Sequence, residues 1–397
     1  MSFLEKLDQC LNEKEERMIA LRRHFHEYPE LSFKEKETSQ YIADFYKDLD
    51  CEVKTQVGNG YGLTVTIASG RPGKTLALRA DFDALPIQEE VDVPFKSKHD
   101  GVMHACGHDG HTAYMMILAE TLIELREEWS GKVVILHQNA EEVTPGGAKS
   151  MIADGALDGV DAVIGAHVMS NMPVGTVSYC PGNCQTGRSN FTLKIQGSGG
   201  HASSPHQAKD AIVAGAYFVT EAQSIVSRVL NPFAVGTVTI GNFDGHGAKN
   251  AINGEVTLGG DVRTMDEESR QKIEEAIRAR VQGLQDSFGV QCDLAYDNNY
   301  PVLHNDDDLL DLVLESLNSH DFKELTAVQQ VGPQNPSEDF AYYAKERPAV
   351  FLWIGATDPD HLDKAYPHHH PKFFMDERAL LIAAKTVGRV VDRYLND

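Results

Sequence analysis

Through the first half of the chain, short apolar runs alternate with longer segments of helical period. LTVTIAS (63–69) and TLALRAD (75–81) are rich in branched and apolar residues and predict buried strands. Gly110 to Trp129 predicts a long helix, KVVILHQNA (132–140) the next strand, GAKSMIADGAL (147–157) a helix and DAVIGAHV (161–168) another strand. The N-terminal stretch MSFLEKLDQCLNEKEERMIALRR places Phe3, Leu4, Leu7, Leu11, Met18 and Leu21 on one side and predicts an amphipathic helix. Strands alternating with helices predict a layered α/β domain whose reactive groups sit at strand ends.

From about Arg188 the rhythm changes. NFTLKIQG (190–197) reads as a strand, Gln207 to Val229 as a helix, and AVGTVTIGNF (234–243) and GEVTLGGDVR (254–263) as two strands. A strongly amphipathic helix beginning at Met265 and the strand VQCDLAYD (290–297) complete the series. That order, β-α-β-β-α-β, is the split ferredoxin-like arrangement. The α/β pattern then resumes with a helix over DDLLDLVLESLNS, a strand over PAVFLWIGA (348–356) and a closing helix from Glu377 to Leu395. The predicted architecture is therefore a catalytic domain formed by 1–187 and 299–397, interrupted by a smaller α+β domain over 188–298.

Composition narrows the possibilities without naming a substrate. A hydrophobic content of 42% over 397 residues is enough for one large core and one small one. Against 36 Lys and Arg stand 59 Asp and Glu, a formal charge of −23 that would repel nucleic acid and anionic membrane. The N-terminus lacks the apolar core of a signal peptide, and no apolar run reaches 18 residues. Six cysteines at irregular spacings do not form a disulfide framework, and Cys180 and Cys184 are expected as two reduced thiols. A cytoplasmic setting follows.

Chemistry concentrates in HACGHDGH (104–111), three histidines, a cysteine and an aspartate within eight positions. Thiolate and imidazole are the ligand types favoured by zinc and its transition-metal neighbours, and Gly107 lets the chain turn so that Cys106 and His108 converge. The competing reading is a polar helix start capped by Asp109. Glu141 and Glu142 lie where a strand runs out, so one carboxylate can face a metal and the other the substrate, unless the pair merely decorates a solvated loop. His167 ends another strand, where a histidine is either a ligand or structural. Asp81 and Asp83 close a third strand and suit either orientation of imidazole ligands or a turn. In HHHP (368–371), His370 stands at a tight X-Pro turn as a late ligand, with His368 and His369 expected to be exposed. GSGGHASSPH (197–206) presents His201 and His206, but no Walker lysine follows, so it is no phosphate cradle. Cys106 as a papain-type nucleophile fits poorly, because several histidines and a glutamate pair crowd it.

These motifs in this order resemble the aminoacylase/carboxypeptidase metallopeptidase family, most closely its amidohydrolase branch of hippurate hydrolases, indole-acetyl-amino-acid hydrolases and N-acyl-amino-acid deacylases. The resemblance rests on RRHFHEYPEL (22–31), RADFDALPI (79–87), HACGHDGHTA (104–113), Glu141-Glu142, GAHV (165–168), GGHASSPH (199–206), DVRT (261–264), SEDFAYY (337–343) and HHPKFFMDE (369–377). It implies a three-layer αβα catalytic domain with a mixed sheet, an inserted ferredoxin-like lid that often mediates dimerisation, and two divalent ions. The ions would be zinc or manganese, with cobalt or nickel also compatible with such a donor set. By resemblance Cys106, His108, Glu142, His167 and His370 are the metal ligands. Glu141 matches the general base, His201 the lid histidine that reaches the reacting carbonyl, and Asn250 and Arg263 the groups that hold a substrate carboxylate.

The implied activity is hydrolysis of N-acyl amino acids or short peptides by a metal-activated water, in a homodimer or higher homo-oligomer. Action on peptides as an aminopeptidase, dipeptidase or endopeptidase is the alternative within enzymology. A catalytically silent metal-binding protein on the same fold is the alternative outside it.

Overall fold

A computed structural model describes residues 1–319 and 322–396. The chain divides into two compact units, Met1–Gly182 with His304–Gly332 and Asp339–Asp397, and Asn183–Leu303 with Pro333–Glu338.

The larger unit is built on an eight-stranded mixed sheet, in the order Glu52–Val57, Gly62–Ala68, Lys132–Gln138, Thr75–Asp81, Ala162–Pro173, Ala349–Thr357, Thr176–Tyr179 and Ala327–Gln330. The four strands from Lys132–Gln138 to Ala349–Thr357 run parallel. Ala349–Thr357, AVFLWIGAT, is buried along its whole length, as expected for a strand covered by helices on both faces. This is the three-layer αβα arrangement expected from the motifs. Parallel strands place their C-terminal ends on one edge, and Asp81, Gln138 and His167 all lie at or near that edge.

The N-terminal segment differs from the single helix predicted. It forms two, Phe3–Glu13 and Glu15–Glu27, broken at Lys14, whose φ of −103° and ψ of 4° leave the helical region. The break lets each half bury its own stripe: Phe3, Leu4, Leu7 and Leu11 in the first, Met18 and Leu21 in the second. Burying each such side chain stabilises the fold by about 1.5–3 kcal/mol. The first helix is fixed further by the Ser2–Glu5 capping box.

The smaller unit has a four-stranded antiparallel sheet in the order Gly236–Asp244, Glu255–Thr264, Gly187–Gln196, Gln291–Asn298. Helices Ala211–Arg228 and Glu267–Phe288 pack on it through Phe218, Ala222, Ile225, Ile273, Ile277 and Leu284. Chain order and strand order together are those of a ferredoxin-like fold. The unit extends beyond 188–298 because residues 333–338 rejoin it: the Thr186 amide donates to Pro336 O at 3.2 Å and its hydroxyl to Asn335 O at 2.7 Å. Among the described residues, no helix is long and apolar enough to cross a membrane.

Candidate metal centre

Four sheet-edge segments of the larger unit converge on one buried cluster. Cys106 and His108 flank Gly107, which precedes helix His108–Glu124 with a left-handed φ of +92°. A Cβ at Gly107 would meet Val168 Cγ2 at 2.3 Å, so the turn that brings Cys106 and His108 together admits no side chain there. The polar-cap reading of this turn is displaced by what the side chains do. Asp109 is buried, forms an ion pair with Arg22, whose Nε lies 2.8 Å away, and pairs with His26 Nδ1 at 2.8 Å.

His108 is oriented from behind. Its Nδ1–H lies 3.1 Å from both the carbonyl and the Oδ1 of Asp83, so that in the neutral ring Nε2 is the lone-pair nitrogen. Burial alone would depress the imidazolium, but Asp81, Asp83 and Glu142 outweigh it and lift His108 to about 10. Asp83 is shared: its Oδ2 also accepts from Ser32 Oγ at 2.7 Å and from the Glu142 amide at 3.0 Å. Asp81 pairs with His111 Nδ1 at 2.6 Å, and His111 Nε2 accepts the Val168 amide at 2.9 Å. Both His111 nitrogens are therefore engaged, and His111 is a prop rather than a ligand. Burial would raise the Asp81 carboxyl, yet Arg79, His108 and His111 hold it well below the usual range.

His167, on strand Ala162–Pro173, donates Nδ1–H to Val168 O at 2.7 Å, which turns Nε2 towards Cys106 Sγ, 3.4 Å away. Glu142 Oε1 lies 3.9 Å from His108 Nε2, and its Oε2 lies 3.3 Å from His369 Nε2. Two donor groups result, Cys106–His108–His167 and Cys106–Glu142–His369, each with its donor atoms within 4.8 Å of one another. Glu141 joins His108 and Glu142 in a third such group.

The last histidine requires a correction. His370, expected as the late ligand, turns away: its ring stacks on Tyr366 at 4.5 Å and its Nδ1 accepts the Lys372 amide at 3.0 Å. His369 takes the place beside Glu142 because its backbone is left-handed, with φ +64°, and its amide is tied to Ala105 O at 2.8 Å. His368, expected to be exposed, is part-buried and pairs through Nε2 with Val168 O at 2.9 Å.

The donor set fits divalent ions on two physical grounds. His108 Nε2 and Glu142 Oε1 are buried without a hydrogen-bond partner, which costs free energy unless something else satisfies them. Burial and the charges of Glu142, Glu141 and Asp81 also push the Cys106 thiol well up, so its thiolate is stable only against a cation.

The remaining expected site residues lie in the smaller unit. His201 is on a two-stranded ribbon, Gly200–His201 paired with Ala251–Ile252, which also carries Asn250 at its edge. The Ser203 amide donates to His201 Nδ1 at 3.2 Å, so neutral His201 carries its proton on exposed Nε2. Arg263, on strand Glu255–Thr264, is held by Asp261 Oδ1 at 2.7 Å and by Ser337 Oγ at 3.1 Å.

A largely buried cluster of thiol, imidazole and carboxylate donors at the edge of an αβα sheet, with a second glutamate beside it, defines a metal-dependent hydrolase of amide bonds. Residues 77–393 match the family model of peptidase family M20/M25/M40, and the chain belongs to that family. It is 37% identical to an N-acetyl-L-cysteine deacetylase of Bacillus subtilis (strain 168), covering 97% of this chain and 90% of the relative. A solved structure from methicillin resistant Staphylococcus aureus is 55% identical, with a TM-score of 0.95 over 98% of this chain and 99% of that one. The Bacillus subtilis YXEP protein, described as a dinuclear metal binding peptidase, is 30% identical with a TM-score of 0.83, covering 97% and 99% of the two chains.

Proposed function

We propose that this enzyme cleaves the acyl–nitrogen bond of N-acyl amino acids, with Glu141 as general base. The observation that carries the reading is the placement of Glu141 and Glu142. Adjacent on the chain, both reach the His108 cluster, yet only Glu142 also meets His369. Cys106, His108, Glu142, His167 and His369 would hold two divalent ions, which when bound acidify water and polarise a carbonyl. The soft Cys106 donor favours zinc, and the oxygen and nitrogen donors also admit manganese.

Glu141 takes a proton from the attacking water and returns it to the leaving amine, as a carboxylate within hydrogen-bond reach does. In the smaller unit, which acts as a lid, His201 offers its Nε2–H to the developing oxyanion, the point where a fixed donor contributes most. Arg263 and Asn250 receive the substrate carboxylate, the guanidinium supplying a permanent forked cation. The resemblance to lids that serve a neighbouring active site supports a homodimer. The N-acyl preference is supported by the deacetylase named above and by an N-acyl-L-amino acid amidohydrolase of Geobacillus stearothermophilus, 38% identical over 309 residues.

The test is Glu141→Gln. Bound metal, measured by elemental analysis, stays at the wild-type level while turnover of acetyl- and benzoyl-amino acids falls by about 10²–10⁴-fold. Near-normal turnover would remove Glu141 from this role. Preference for a dipeptide panel over the acylated panel would replace deacylation with peptidase action.

A further inference from the structure

The acidic pair is suspended from the N-terminal part of the chain. Glu35 is fully buried, with 0% exposure, and its Oε1 accepts the Ala140 amide at 2.8 Å. Two residues later the Glu142 amide is held by Asp83 Oδ2, which Ser32 also grips. Between these ties the chain is bent into an uncommon shape: Ala140 has φ +53°, a left-handed conformation that a residue with a Cβ adopts only under constraint. The bend comes directly after strand Lys132–Gln138, where an unconstrained chain would continue extended. Continued extension would aim Glu141 and Glu142 to opposite faces of the sheet. Both instead reach the same cluster as His108. The Glu35 hydrogen bond falls on the residue that carries the bend. Glu35 and Ser32 both precede residue 77, where the match to the family model begins.

We propose that Glu35 is a positioning residue for the hydrolysis: by holding the Ala140 amide it maintains the left-handed turn that sends Glu141 and Glu142 into one site with different tasks. The inference rests on the base and ligand roles assigned above. Its physical content is that a hydrogen-bond acceptor must reach Ala140 from position 35; the negative charge is dispensable. A glutamine there keeps both reach and acceptor, an aspartate is one methylene short, and an alanine supplies nothing.

The test compares Glu35→Gln, Glu35→Asp and Glu35→Ala in the full chain. Hydrogen exchange by mass spectrometry on a peptide spanning 138–143 of the metal-free protein reads the tie itself. Steady-state kinetics on an N-acetyl amino acid cleaved by the wild type, after manganese loading, read its consequence. In the alanine and aspartate chains, exchange over 138–143 rises and kcat falls by about 10–100-fold, the size expected for a misplaced catalytic group, while KM and metal content at saturating manganese change little because the Glu142 amide keeps its own tie to Asp83. Glu35→Gln keeps wild-type exchange, and its kcat stays within a few-fold. Should Glu35→Ala not fold, the aspartate chain carries the comparison. Wild-type kcat in Glu35→Asp, a glutamine chain as impaired as the aspartate one, or unchanged exchange over 138–143 overturns the proposal. Failure of the base assignment is separate: it shows as turnover by Glu141→Gln, whereas the exchange measurement reports on the Glu35–Ala140 contact whatever Glu141 does.

Discussion

Glu142 Oε2 lies 3.3 Å from His369 Nε2, while the next residue, His370, faces Tyr366 with its ring stacked at 4.5 Å. The left-handed backbone of His369 thereby sends two adjacent histidines in different directions. His369→Ala is expected to weaken metal binding by more than the roughly 10–100-fold typical of losing a supporting group around a metal. His370→Ala leaves affinity near the wild type. Titration of the metal-free proteins with zinc in the presence of a competing chelator checks both.

Asp83 carries more of the site than its position beyond a strand end suggests, since it accepts from His108, Ser32 and the Glu142 amide. Asp83→Ala removes the acceptor for His108 Nδ1–H and one anchor of the acidic pair together. Metal affinity should drop by about 10–100-fold, read by the same chelator competition. Asp83→Asn, which keeps one acceptor oxygen, should lose less.

Gly107→Ala attacks the turn instead of the donors. The new Cβ would need a left-handed backbone and would lie 2.3 Å from Val168 Cγ2. Backbone strain and overpacking each cost about 1–3 kcal/mol. A lowered urea midpoint accompanied by loss of bound metal is expected. Wild-type stability with reduced metal would show that the backbone can yield there.

Acid sensitivity should originate in buried neutral histidines. His137 lies between Tyr46 OH at 2.8 Å and Thr112 Oγ1 at 2.9 Å, and burial lowers it to about 3. Between about 3 and its ordinary 6.5 the unfolded chain holds a proton that the folded chain refuses. Stability is therefore complete above pH 6.5 and falls as the pH drops through that window, by at most ~1.4 kcal/mol per pH unit for this group. Urea unfolding at pH values from 5 to 7 should give a shallower slope for His137→Gln than for the wild type. Equal slopes would assign the sensitivity to the other buried histidines, such as His104.

The architecture was legible because each layer leaves a distinct period. Lys132–Gln138 and Ala349–Thr357 are apolar runs, and the βαββαβ series appears within a few residues of its predicted ends. What escaped is what period does not encode. The N-terminal apolar stripe continues through Lys14, so its break shows only in backbone angles. Cys106, His108, Glu142 and His167 were visible as donors at strand ends, and the structure gathers them. His369 and His370 are chemically identical, and only φ decides which faces the cluster. Glu35 gives no sequence signal, because its contact with the Ala140 amide spans 105 positions.

The discontinuity of the larger unit dictates an order of assembly during synthesis. Cys106, His108, Glu142 and His167 emerge from the ribosome before the whole Asn183–Leu303 insert, and His369 follows it. The insert, nearly continuous in sequence, can fold as soon as it is exposed. The donor cluster must wait, and so must the strand Ala349–Thr357, which pairs with Ala162–Pro173. A chain arrested before residue 349 would carry most of the clustered donor side chains on a sheet missing an inner strand. The donor cluster is thus complete only once the chain has been made as far as His369, well after the insert.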